Sequence, residues 1–544
     1  MATKILNYKY ELMLAIIAGL LLFSGLSKVE VNIMEARNFQ TAREMVQNNE
    51  YLLTTLNAEP RYQKPPLPTW LTAISGSLFG FDSLYAMRMP VAFITLLLVF
   101  AFYFLSKRMG FNPKSSFNNA LILITSFYIF FAGRDNQWDI YTHSFMIVSI
   151  YFLWRLLQED SHPVRNSLMS GLFLGFSFLS KGPISFYALL LPFIIGYLIV
   201  YRIPVKRKGL SLLVVLVSGL VIGASWYVYV RMNDPEYFKA IAVHETSNWT
   251  NYEIKPFYYY WNFFIQSGLW TIPSLIALMY PYLKRRVANL KAYRFTLLWT
   301  VFSVVLLSLV PEKKVRYLVP TLIPLALTTG FYIDYLFKAF GSMKSKKESL
   351  LVYINYGILA FVGVAYPFVI LFLLKEGVKS YIFTFIVTSA LVLLSSYLII
   401  RGLIGRKFGK TFYSSIALFC FIIVGTLPMS VKFFANPDYS PASSVLGLEK
   451  QYDVNTYRLS EVAPEIIWNF GKVVPLINPN KINVENGKQF GLMVGMDDST
   501  RLKPLLSTCN LQKLYRVNLN YRKKNKSRLI KDYYLVTAKT STSK

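Results

Sequence analysis

Charged residues crowd a few short segments of this chain. Glu35 opens an amphipathic stretch, Arg134, Asp135 and Asp139 lie close together, Lys181 precedes Gly182 and Pro183, and His244 adjoins Glu245. Glu312, Lys313, Lys314 and Arg316 form one short basic loop, and Lys64 stands between Gln63 and Pro65-Pro66, whose fixed φ would hold its ammonium in place. Transfer of a sugar from a lipid phosphate needs this mixture. Lys and Arg neutralise the departing phosphate while a carboxylate takes the proton of the attacking hydroxyl. Each residue also has a plainer explanation: Glu35 as a solvated helix face, His244 as a structural histidine, the 311–316 loop as a snorkelling flank. Three histidines and two cysteines, Cys420 and Cys509, show no metal-ligand spacing, so no metal or other cofactor is expected to be required, although a divalent cation fits the chemistry. No phosphate-loop or dinucleotide motif is visible, which disfavours an ATP-driven pump.

The elements that must position these residues are membrane helices. Of 544 residues, 54% are hydrophobic and 16% charged, and the mean hydropathy of +0.39 excludes a large soluble enzyme. The net charge of +30 therefore belongs to loops that flank membrane spans rather than to a nucleic-acid surface. A span needs about 20 apolar residues. That length finds about thirteen: 11–27, 84–106, 116–132, 139–157, 166–180, 183–201, 209–231, 258–280, 293–310, 317–337, 350–374, 380–400 and 411–433. Lys and Arg cluster in alternate connections, which predicts a cytoplasmic N-terminus and places 28–83, 133–138, 232–257, 311–316, 375–379 and the tail on the outer side. The basic 311–316 loop breaks that rule and so points to an anionic ligand, phosphate first.

The fold expected is an all-α polytopic membrane protein with a small C-terminal α/β extramembrane domain. Residues 1–433 form the membrane domain, including an interfacial segment at 28–83 whose amphipathic helix is followed by the proline-broken stretch Arg61 to Trp70. Residues 434–544 form the outer domain, with a helix at Ala463 to Val474, strands at Lys513 to Leu519 and Asp532 to Ala538, and frayed residues at 522–531 and the terminus.

Several motifs in order then resemble one family. They are Glu35-Ala36-Arg37 with Ala42-Arg43-Glu44-Met45, Lys64-Pro65-Pro66-Leu67 with Trp70, Phe79-Gly80 followed by Arg88, Asp139, Leu179-Ser180-Lys181-Gly182-Pro183, Trp226-Tyr227, His244-Glu245, and Tyr317-Leu318-Val319-Pro320 with Pro324. Over roughly residues 30–330 the chain resembles the bacterial GT-C membrane glycosyltransferases of the dolichyl-phosphate-mannose protein mannosyltransferase superfamily, the group that includes the lipid A aminoarabinose transferases. The resemblance implies an inverting transfer from a polyprenyl-phosphate-linked sugar at the periplasmic face of the bacterial inner membrane. The acceptor would be lipid A, an envelope glycan or a protein. It also implies that Lys64 contacts the donor phosphate and that the first external loop carries an acidic catalytic position.

The chain departs from that pattern. Met34 and Gln63 stand where relatives commonly have carboxylates, and Trp249 or Thr250 occupies the region of an arginine beyond the His-Glu pair. We therefore assign Glu35 and Asp139 to catalysis, Lys64, Lys313, Lys314 and Arg316 to the donor phosphate, and Arg61, Gln63, Arg88, Lys181, His244 and Glu245 to shaping the site. Two rivals are a lipid-linked-sugar flippase, for which Asp334 is the main mid-span candidate, and a silent polyprenyl-phosphate-binding protein.

Overall fold

A computed structural model describes residues 8–202, 205–433, 435–478, 489–495, 498, 502, 509–522 and 525–538. Contacts divide the chain into two compact units: Met1–Lys28 with Tyr62–Pro68 and Arg88–Ser430, and Val29–Arg61 with Thr69–Met87 and Val431–Lys544. The predicted Ser/Thr/Lys terminus lies outside the described residues.

The first unit is a bundle of helices. Among the described residues, eight helices are long and apolar enough to cross a membrane: Lys9–Lys28, Leu84–Arg108, Trp138–Gln158, Arg207–Asn233, Leu290–Leu309, Lys346–Leu374, Lys379–Ile404 and Phe408–Ser430. The chain is thus a multi-pass membrane protein, and its outer helices look the part. Phe361, Phe368 and Phe372 on one of them are 71–72% exposed, a surface that only lipid would cover.

The other five predicted spans differ from these. Residues 166–180 fall in the single helix Pro163–Lys181, and 317–337, after a 3₁₀ turn at Val315–Leu318, in Val319–Ala339; both bury many Ser and Thr side chains within the bundle. Residues 116–132 break into Pro113–Ile124 and Phe127–Ala132, where Thr125 and Ser126 turn their hydroxyls onto the carbonyls of Leu121 and Ile122. Residues 183–201 begin with a π-turn at Phe186–Leu190 before the helix Leu191–Val200. Residues 258–280 are not one helix: Gly268, at φ 64° and ψ −105°, interrupts them, and short 3₁₀ turns precede the helix Thr271–Ala277.

Two kinds of contact fix the helix that ends at Lys181. Against Trp138–Gln158 it makes antiparallel rungs of small hydroxyls. Ser149 and Ser170 each donate to the other's carbonyl, at 2.8 and 3.1 Å, and Thr142 and Ser177 do the same at 2.9 and 2.8 Å. Residue numbers across both rungs add to the same total, and the pair of Asp139 with Lys181 lies at the end of the same two helices, one residue off that register. Against Val205–Asn233 the approach is close because glycines face it. A Cβ at Gly175 would lie 2.5 Å from that of Ile222, and one at Gly223 would lie 2.6 Å from that of Phe178. Gly175→Val should therefore cost about 1–3 kcal/mol by overpacking, seen as an earlier thermal midpoint of the detergent-solubilised chain.

In the second unit the amphipathic helix Ile33–Gln47 begins with a capping box, in which Asn32 accepts from the amides of Met34 and Glu35 while Glu35 reaches back to Asn32. Buried Glu44 accepts from the Thr55 hydroxyl at 2.7 Å and from the Asn57 and Ala58 amides at 2.6 and 3.1 Å, which pins the hairpin of strands Thr55–Leu56 and Glu59–Pro60. Asn57 also exchanges two hydrogen bonds with the Val474 backbone, at 3.1 and 2.8 Å. The tail forms a four-stranded sheet in the order Thr456–Arg458, Gln489–Gly495, Ile530–Ala538, Cys509–Asn518, parallel in its first pair and antiparallel elsewhere. Both predicted strands lie in it. The predicted helix is shorter, Pro464–Phe470, because Gly471 at φ 90° ends it. Predicted fraying at 522–531 gives way, from Ser527, to a 3₁₀ turn that leads into the last strand.

Candidate active site

The polar ladder ends in an ion pair. Asp139, in the first turn of Trp138–Gln158, meets the ammonium of Lys181, the last residue of Pro163–Lys181, with side chains 10% and 6% exposed. An acid at a helix N-terminus and a base at a helix C-terminus each complement the local dipole. Gly182 lets the chain turn away at φ 73°, and a Cβ there would sit 2.9 Å from the Tyr227 hydroxyl.

Further cations gather beside this pair. Arg316 and Lys64 both lie within electrostatic reach of Lys181. The Tyr317 ring faces the Lys181 ammonium at 5.2 Å, the Arg316 guanidinium at 5.7 Å and the Lys314 ammonium at 5.8 Å. Burial works against the charge on Arg316, but Asp139 and Tyr317 outweigh it and hold that guanidinium above its ordinary pKa. Arg316 donates to Gln137 Oε1 at 3.5 Å, and its buried Nε has no hydrogen-bond partner among the described residues. Lys64 pairs with Glu245 at 3.1 Å, and the buried Oε1 of its neighbour Gln63 also has no partner among the described residues.

The structure brings together Lys64, Asp139, Lys181, Glu245 and Arg316. It gives other predicted residues local work. Glu245 and His244 lie on the helix Pro235–Asn251 rather than in a loop, and His244 is exposed. Lys313 donates to the carbonyls of Val310 and Lys255 at 2.6 and 3.1 Å, tying its loop down, and burial lowers its pKa. Lys314 pairs with Glu312 at 2.6 Å, and Glu312 also accepts from the Tyr317 hydroxyl at 3.0 Å. Arg88 donates to the Leu26 carbonyl at 2.6 Å. In the second unit, Arg61 is buried with a bond to the Thr41 hydroxyl at 3.3 Å, and Glu35 is the capping residue described above. Asp334 accepts from Ser115 and from Lys338 one turn away, an ordinary helix-surface arrangement.

Two features escaped the sequence reading. His143, one turn beyond Asp139, is buried with Nδ1 3.0 Å from the Ser185 hydroxyl. A cavity of about 340 Å³ opens beside the ion pair, lined in part by Tyr128, Phe131, Asp135, Gln137, Asp139 and Arg316. The spacing of Asp139 and His143, four residues apart on an apolar helix, was the one available signal for the first.

Comparison with known proteins follows the same lines. Residues 63–228 match the family described as dolichyl-phosphate-mannose-protein mannosyltransferase. The undecaprenyl phosphate-alpha-4-amino-4-deoxy-L-arabinose arabinosyl transferase of Photorhabdus laumondii is 26% identical over 348 residues, 60% of this chain and 59% of that protein. A transferase of the same description from Pseudomonas fluorescens is 27% identical over 322 residues, 54% of each. This chain thus spans between half and three-fifths of the length of these relatives. The crystal structure of ArnT from Cupriavidus metallidurans bound to undecaprenyl phosphate superposes with a TM-score of 0.74, over 97% of this chain and 98% of that one, at 16% identity. The apo form gives 0.70 over the same shares. At that identity the likeness establishes the fold. In fold and in the sequence of its helical unit, the chain resembles the GT-C glycosyltransferases of the protein mannosyltransferase superfamily.

Proposed function

We propose that the chain transfers a sugar from a polyprenyl-phosphate donor to a hydroxyl or phosphate of lipid A, an envelope glycan or a protein, at the periplasmic face of a bacterial inner membrane. The observation that carries this reading is the meeting of Lys181 and Arg316 at Asp139, at the ends of apolar helices, with Lys64 and its partner Glu245 within reach of Lys181. Lys64, Lys181 and Arg316 against two carboxylates, Asp139 and Glu245, leave a site short of one negative charge, and a lipid phosphate supplies it.

The acceptor oxygen attacks the anomeric carbon as the bond from that carbon to the phosphate oxygen breaks. Polyprenyl phosphate leaves with the bonding pair, stabilised by Lys64, Lys181 and Arg316. As Lys181 turns to the phosphate, Asp139 is released from its ion pair and takes the proton of the acceptor hydroxyl. A single displacement inverts the anomeric centre. Glu245 holds Lys64 until the donor replaces it. The tail at 434–544 helps to choose the acceptor, and no metal is required. Glu35 is the alternative base, and its capping role gives Glu35→Gln a smaller expected effect than Asp139→Asn.

Lys64→Ala tests the phosphate assignment. Removing one charge-assisted contact should weaken the binding of undecaprenyl phosphate by about tenfold or more, measured by titration of the chain in nanodiscs. Unchanged affinity would remove Lys64 from the site.

A further inference from the structure

We infer that His143 is a positioning residue: through Ser185 it fixes the turn that follows Lys181, and so sets where the Lys181 ammonium stands relative to Arg316. The inference rests on the transferase reading and adds to it a residue that touches no substrate.

His143 lies one turn beyond Asp139 on the helix Trp138–Gln158, 1% exposed and within electrostatic reach of both Asp139 and Lys181. The plainer explanation of a buried histidine here is a rung that aligns two helices, as Thr142 with Ser177 and Ser149 with Ser170 are. Its partner argues otherwise. Ser185 is fully buried and stands beyond the end of that ladder, on the far side of Gly182. Its hydroxyl has His143 Nδ1, at 3.0 Å, as its only hydrogen-bond partner among the described residues. The bond therefore holds a turn rather than a pair of helices. Either neutral tautomer of the ring can make it, because a serine hydroxyl both donates and accepts.

The far end of this turn is pinned independently. Ser185 leads into the π-turn Phe186–Leu190, whose carbonyls at Ala188 and Leu189 accept from Ser303 Oγ at 2.6 Å and Trp299 Nε1 at 2.9 Å. The Tyr187 hydroxyl donates to the Leu306 carbonyl at 2.8 Å. All three partners lie on the helix Leu290–Leu309. Ser303 also meets Thr321 Oγ1 at 3.1 Å, in the first turn of the helix Val319–Ala339, which starts just after Arg316 and Tyr317. The π-turn thus bridges the helix end that bears Lys181 and the helix start that follows Arg316. Turns of this kind are rare and occur mostly at functional sites. With Gly182 at φ 73° as a joint beside Lys181, the near end is the point left to fix, and His143 fixes it. A charged group displaced by about 1 Å can cost on the order of 10²-fold in rate, so this bond bears on the chemistry although neither of its residues enters it.

The test measures affinity of the full chain in nanodiscs for undecaprenyl phosphate, with each variant first shown to be folded by its thermal midpoint. His143→Leu and Ser185→Ala should each weaken binding by about three- to tenfold, the value of one hydrogen bond. The two together should weaken it no more than either alone, because they remove the same bond. His143→Asn, whose side-chain amide reaches the place of Nδ1, should restore affinity to within about twofold of the wild type. Ser170→Ala, which breaks a rung of the ladder but not the turn, should leave affinity unchanged. Wild-type affinity in His143→Leu and Ser185→Ala overturns the inference and leaves the transferase reading standing. So does a loss that His143→Asn fails to restore, that adds between the two sites, or that Ser170→Ala reproduces, since each marks general packing. A wild type that binds no undecaprenyl phosphate overturns the transferase reading and the inference together.

Discussion

Lys181→Met is expected to destabilise the protein by about 3–5 kcal/mol, because it leaves the Asp139 carboxylate charged and buried with its principal partner gone. Few contacts in the molecule compare with it. The two side chains are 6% and 10% exposed, so water from the adjoining cavity replaces the lost ammonium poorly, and methionine matches the length of the lysine stem without its charge. Combining Lys181→Met with Asp139→Leu should recover most of that stability, since two apolar groups leave nothing uncompensated. Thermal or denaturant unfolding of the two variants in one detergent checks this. The double variant should remain unable to bind undecaprenyl phosphate at the wild-type level, because the proposed mechanism uses Lys181 as a phosphate ligand. If the single variant is as stable as the wild type, Asp139 and Lys181 are not an ion pair.

Asp139→Asn is expected to lower turnover by about 10²–10⁴-fold, the range for loss of a positioned acid or base. Asparagine keeps the shape and can still accept a hydrogen bond from Lys181, but it leaves that buried ammonium without its counter-charge, so stability also falls and turnover is compared on protein shown to be folded. Affinity for undecaprenyl phosphate should stay the same or rise, because the cations lose a competing carboxylate. This split separates Asp139 from Lys64 and Arg316, whose loss should weaken binding first. It also separates Asp139 from Glu35. If Glu35→Gln stops turnover while Asp139→Asn does not, the base lies in the second unit and Asp139 only holds Lys181.

Some of this was readable before the fold was known. Acid and base at opposite helix ends, Asp139 at a start and Lys181 at a stop before Gly-Pro, are local features, and the sequence shows them directly. Partner choice is not local. Arg88 and Arg61 resemble site residues in sequence, yet Arg88 bonds the Leu26 carbonyl and Arg61 bonds Thr41, contacts that only the packing reveals. Lys313 counts as one more cation in a basic loop until backbone carbonyls are found around it. Hydropathy also overestimates continuity. The run 258–280 is apolar enough for a span, but Gly268 supplies a backbone turn that composition alone does not register. Conversely, the serines and threonines that set the register of the Lys181 helix look like interruptions in an apolar segment and are its alignment marks.

The central claim, that this chain moves a sugar from a polyprenyl phosphate to an envelope acceptor, is tested most directly in the native host. The gene is deleted, complemented with the wild type or with Asp139→Asn, and lipid A, envelope glycans, glycoproteins and polyprenyl-phosphate sugars are compared by mass spectrometry. The account predicts that one acceptor lacks a sugar, that the matching lipid-linked sugar accumulates, and that only the wild type reverses both. An unchanged set of acceptors and lipid-linked sugars would contradict it, as would full reversal by Asp139→Asn together with Glu35→Gln.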